Sequence, residues 1–219
     1  MYEQDYSGGK KMQKIFSTEG KIYEGMQRIY QVLLLTIIFI LSCLPVLTIG
    51  AAMASAYGTA YKMVDHREGV LYKEYVHQFK QNFVLATKMW LLILGVSSGV
   101  FFLLPFIQPL LIGNKIAYYL VMLFVTLLVL MGLYLFPLIA RFENNLTGTL
   151  VNACILSLKH LPSSILLFFI TIGGGIMLPL YLPSLLFAWL FLGIGTIIFI
   201  KAKLLLGVFH SYENLEEGS

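Results

Sequence analysis

Side chains able to do chemistry are sparse in this chain, and their spacing limits what they could do. His66 and His77 stand eleven residues apart, with Asp65 and Glu68 beside the first. Zinc ligands on one element recur at roughly two to five residues, so this pattern predicts solvated histidines rather than a metal centre. Gly173-Gly174-Gly175 lies in an apolar tract without the lysine or polar flank of a phosphate-binding loop. It predicts a packing or kink position. Cys43 and Cys154 fall at different depths or sides of the apolar pattern, which argues against a disulfide. The expectation is therefore no catalytic residue, no metal and no cofactor, and a protein that is not an enzyme.

The specific polar groups gather elsewhere. Arg141, Glu143 and Asn144 directly follow an apolar tract, while Glu68, Lys80, Asn82 and Lys159 belong to the other polar segments. Taken singly, each reads as a helix-end anchor or a capping group. Taken together, they are candidate partner-docking residues, because amphipathic helices beside a membrane can hold a partner's loop or helix.

The elements that must carry these groups follow from four uncharged tracts, Ile29 to Tyr61, Met89 to Asn114, Ile116 to Ala140 and Leu161 to Ile200. About 20 apolar residues span a hydrocarbon core of about 30 Å, so the first and last tracts are long enough for hairpins. Six crossings put every Lys and Arg except Lys115 on one side, which the positive-inside rule makes cytoplasmic together with both termini. The fold class expected is all-α: a polytopic membrane helix bundle of about six transmembrane helices, the second either a short or a re-entrant span. At 58% hydrophobic and 12% charged, the chain is too apolar for a soluble domain. Its net charge of +4 is spread over several loops, which argues against nucleic acid as a partner and leaves membrane lipid. The organisation expected is a cytoplasmic segment 1–28, one transmembrane domain 29–203 and an acidic cytoplasmic tail 204–219.

Within that frame, Pro45 and Gly50 mark the first turn. Ala52, Ala56 and Ala60 form a small-residue stripe for close helix packing. Pro105 and Pro109 mark an external loop, Pro137 a kink, Pro162 a structural turn or close-packing position, and Lys201 and Lys203 the end of the last span. Two amphipathic cytoplasmic helices are expected. One turns Leu71, Tyr72, Tyr75, Val76, Phe79 and Phe83 inward; the other turns Leu146, Leu150, Cys154, Ile155 and Leu158 inward and Asn152, Ser157 and Lys159 outward. Each precedes a span, so the two halves, 46–104 and 122–180, share element order as in a weak internal repeat.

Several pieces in order, Ser42-Cys-Leu-Pro-Val-Leu-Thr-Ile-Gly50, Glu68-Gly69, Phe79-Lys-Gln-Asn-Phe83, Phe136-Pro-Leu-Ile-Ala-Arg-Phe142 and Leu158-Lys-His-Leu-Pro162, resemble the YesL family of bacterial membrane proteins. The resemblance covers about residues 15 to 210. It implies a bacterial inner-membrane location and an association with carbohydrate ABC transporters, without an established activity. The function expected is a non-enzymatic accessory or regulatory subunit of a carbohydrate ABC importer, with the transporter permease or an associated membrane protein as partner. The alternative is an autonomous facilitator or exporter of a small carbohydrate or related solute. That alternative is disfavoured because the span centres carry no Asp, Glu, Lys, Arg or His.

Overall fold

The computed structural model describes residues 21–67, 69–111, 114–143 and 145–216. They form seven helical elements: α1 (Lys21–Cys43), α2 (Ile49–Val64), α3 (Leu71–Leu111), α4 (Lys115–Arg141), α5 (Leu146–Lys159), α6 (Leu161–Tyr181) and α7 (Pro183–Phe209). The last helical stretch of α7, Ile194–Glu216, runs on past the span. Five of the seven, α1, α3, α4, α6 and α7, are long and apolar enough to cross a membrane. The protein is an all-α, polytopic, membrane-embedded bundle.

The second segment is short. α2 has 16 residues, which at about 1.5 Å per residue falls below the hydrocarbon thickness. It lies at the centre of the bundle against α1, α3, α4 and α7. Ala52, Ala56 and Ala60 are fully buried there, because side chains this small let four neighbours approach one helix. The approach is closest at Gly50, where a Cβ would lie 2.7 Å from Trp90 Cβ and also strike the Ala86 carbonyl oxygen.

α2 and α3 run antiparallel, as Val46 facing Trp90, Gly50 facing Ala86, Gly58 facing Gln78 and Lys62 facing Glu74 require. The Trp90 indole donates to the Val46 carbonyl at 2.9 Å, which ties the α1–α2 turn at Pro45 to the middle of α3. α3 has 41 residues, on the order of 60 Å. Its outer half therefore continues beyond that turn, paired with α4, and exposes Val96, Phe101 and Phe102 while α4 exposes Tyr119, Leu123 and Phe124. The amphipathic segment and the span it was expected to feed are thus one continuous helix. Pro105 and Pro109 lie within it rather than in a loop, as membrane helices tolerate when freed backbone groups find other partners.

Both amphipathic faces differ from the sequence expectation. On α3, Leu71, Tyr75, Gln78, Ala86 and Met89 are buried, whereas Tyr72, Val76 and Phe83 are exposed. On α5, Thr149, Ala153, Leu156 and Ser157 are buried, whereas Cys154, Ile155 and Leu158 are exposed. In water, large apolar side chains turn inward. Beside lipid they gain nothing by doing so, and small or hydroxylated residues take the helix contacts.

α5 and α6 repeat the order of α3 with a break. His160 leaves helical geometry at φ −114°, ψ 49°, and Pro162 occupies the first turn of α6. Ser164 closes the joint, bonded to the Tyr134 hydroxyl at 2.9 Å and donating to the carbonyls of Ser157 and His160. Farther along α6, residues Ile170–Met177 widen into a π-helix, and the Trp189 indole donates to the Gly174 carbonyl at 2.7 Å. The glycine triplet is therefore the point where α7 is pinned to α6. Hydroxyls on the spans mostly bond their own helix, as in Thr36 to Val32, Ser98 to Leu94 and Thr126 to Met122.

One more expectation is corrected at α7. Lys201 does not end the helix; it is only 6% exposed, with its ammonium 5.7 Å from the centre of the Tyr57 ring. Residues 204–216, expected as a tail, continue the helix.

Candidate functional site

The ends of α2 and α4 meet the early turns of α3 around a polar pocket of about 450 Å³. Each wall has a local reason. α2 stops after Val64, where Lys62 in its last turn suits the negative end of the helix dipole. α4 stops at Arg141 for the same electrostatic reason, and extended Phe142 turns the chain away. α3 starts at Leu71, and Lys62 forms an ion pair with its Glu74. The Tyr61 hydroxyl crosses from α2 and donates to the Pro137 carbonyl at 3.3 Å. This contact fixes α2 against α4.

The floor is an amide layer. Gln78 is 9% exposed, and its Oε1 accepts from Asn82 Nδ2 at 3.1 Å, one helical turn away. Gly58 makes room for it, since a Cβ there would lie 2.7 Å from that oxygen. Gln81 Nε2 donates to Glu143 Oε1 at 3.3 Å, which links α3 to the segment after α4. Asp65, Arg67, Arg141 and Phe142 complete the lining.

Of the residues singled out from sequence, Asn82, Arg141 and Glu143 come together here. Lys80 is exposed on α3 but does not line the pocket, and Lys159 is exposed at the end of α5. Glu68 and Asn144 lie outside the described residues. Pro45, Gly50, Ala52, Ala56, Ala60, Pro137 and Pro162 serve turns, helix ends and packing, away from the amide layer. Sequence reasoning missed Gly58, Tyr61 and Gln78. A signal did exist: Gln78 and Asn82 sit one helical turn apart on a face otherwise occupied by Leu71, Tyr75, Ala86 and Met89.

Near the pocket, Arg28 of α1 donates to the Met63 carbonyl at 2.5 Å and contacts the His66 ring at 2.8 Å. His66 holds a left-handed φ of 53°, a conformation unusual for a residue with a Cβ. Among the described residues, no group of three or more His, Cys, Asp or Glu side chains is placed to hold a metal. A second, apolar cleft of about 480 Å³ lies between the outer halves of α3 and α4, lined by residues such as Val96, Phe101, Val129 and Gly132.

The helices that build most of this site carry the family likeness. Residues 31–104 match the family described as Protein of unknown function, DUF624. The matched stretch runs from α1 through α2 and most of α3, and includes Gly58, Gln78 and Asn82. No curated protein and no solved structure is similar enough to match.

Proposed function

We propose that this chain is a non-enzymatic accessory or regulatory subunit of a carbohydrate ABC importer in a bacterial cell membrane, with both termini cytoplasmic. It docks its partner through the charged rim around the pocket. The observation that supports docking is the convergence of Asn82, Arg141 and Glu143, from distant parts of the chain, at the junction of three packed helices. Rigid elements hold such groups in place without the ordering cost that mobile loops incur on binding. The carbohydrate partner comes from the resemblance to the YesL family, and the cytoplasmic placement from the distribution of Lys and Arg.

Lys80, exposed on α3, and Lys159, exposed at the end of α5, are further candidate docking residues. The test is co-purification from native membranes in mild detergent. The double variant Lys80→Glu, Glu143→Lys should lose a transporter permease that the wild type retains, while folding and expression persist. Retention of the permease by the double variant would refute rim docking. Flux of a sugar into liposomes carrying this protein alone would favour the facilitator instead.

A further inference from the structure

We propose that Lys201 binds the phosphate of an anionic phospholipid at the end of the last span. Lys201 lies on the face of α7 that turns into the bundle, with buried Ile198 and Leu205 one turn to either side and buried Ala202 next to it. Its side chain is 6% exposed, and its ammonium lies 5.7 Å from the centre of the Tyr57 ring. The ammonium makes no hydrogen bond to the described residues and is not fully enclosed, so a ligand can reach it. A ring face attracts a cation without neutralising it. A lysine within a membrane bundle is costly unless an opposite charge meets it.

The described residues do not supply that charge. α7 packs against α1, α2 and α6. α2, α6 and α7 from Pro183 to Phe209 contain no Asp or Glu, and α1 contains only Glu24, exposed in its first turn. Among the other described acids, Glu74 pairs with Lys62, Glu143 accepts from Gln81, and Asp65 lines the pocket between α2, α3 and α4. Glu213 and Glu216 follow on the same helix, the first about 18 Å beyond Lys201. The other charges at this level of α7 are positive. Lys203 is exposed two residues on, and the Arg28 guanidinium lies 5.8 Å from the centre of the Phe199 ring. Charge of one sign calls for an anion. Its source follows from position: Lys201 directly follows the uncharged tract Leu161 to Ile200, where a span meets the headgroups. Basic sites between membrane helices at that level take lipid headgroups. This inference does not rest on partner docking.

Purified full-length protein in neutral detergent is analysed by native mass spectrometry with added phosphatidylglycerol or phosphatidylcholine. The wild type should bind phosphatidylglycerol about tenfold more tightly, because the choline cation would face Lys203 and Arg28. Lys201→Met should weaken phosphatidylglycerol by about tenfold, the share of one charge-assisted hydrogen bond. Lys201→Gln is a second neutral variant with the same expected loss, and the melting temperature reports folding of both. Lys73→Met, which removes the same charge from an exposed position on α3, should change binding by less than about threefold. Inorganic phosphate at about 10 mM should not displace the lipid. The proposal is overturned if the wild type shows no preference for phosphatidylglycerol, which would leave a partner's carboxylate to meet Lys201. It is equally overturned if the folded Lys201 variants bind like the wild type, if Lys73→Met weakens binding as much, or if inorganic phosphate displaces the lipid and marks a soluble anion as the occupant.

Discussion

Gly50→Ala tests the central packing most directly. The added methyl would sit 2.7 Å from Trp90 Cβ, with the Ala86 carbonyl oxygen in its path as well. Carbon atoms prefer about 3.5–4.0 Å, so α2 and α3 must separate by about 1 Å. Two of the three nearest atoms belong to backbone and the third is a Cβ, so no rotamer change relieves the clash. Separation would also stretch the Trp90–Val46 hydrogen bond, now 2.9 Å, towards the limit of a useful bond. We expect a loss of about 2–3 kcal/mol, the upper part of the usual overpacking range. At about 2–4 °C per kcal/mol for a chain of this size, the melting temperature in detergent should fall by roughly 4–12 °C. Gly99→Ala, on α3 with nothing within 4 Å of the new Cβ, is the control. It should hold or raise the melting temperature, because alanine favours a helix over glycine by about 1 kcal/mol. Equal melting temperatures for the two variants would refute the close approach of α2 and α3.

Three further outcomes follow from the same packing. Ala56→Leu, at a fully buried position, should destabilise by about 1–3 kcal/mol in the same melt. An unchanged melting temperature there would mean that this face meets lipid. Trp189→Phe leaves the Gly174 carbonyl without its indole donor and should cost about 1–3 kcal/mol, read as earlier thermal unfolding. Single cysteines at positions 67 and 115, in a background lacking Cys43 and Cys154, should label from opposite sides of the membrane in intact cells and vesicles. α3 separates the two positions, and labelling from one side would remove the basis for the topology.

Much of the architecture was legible because apolar length and charge distribution act locally. A tract such as Ile116 to Ala140 must be helical in a bilayer, since its backbone groups have no other partners there. The stripe of Ala52, Ala56 and Ala60 announces close packing by residue size alone. The buried faces of α3 and α5 were not legible in this way. Beside lipid, hydrophobicity no longer separates inside from outside, and the exposed Ile155 and buried Ser157 could not be sorted without their neighbours.

Only the tertiary structure decided the site. Asn82 and Glu143 are recognisable as polar groups near helix ends, but their meeting depends on the antiparallel pairing of α3 with α4. Gln78 reads as one more polar residue beside Lys80 and Gln81 until α2 arrives, through Gly58, to bury it. Lys201 likewise reads as a terminal charge until α7 extends past it and Tyr57 covers it. Membrane embedding is a property of each segment's own composition. The polar pocket instead arises where α2 and α3 meet the end of α4, a relation that no single segment carries.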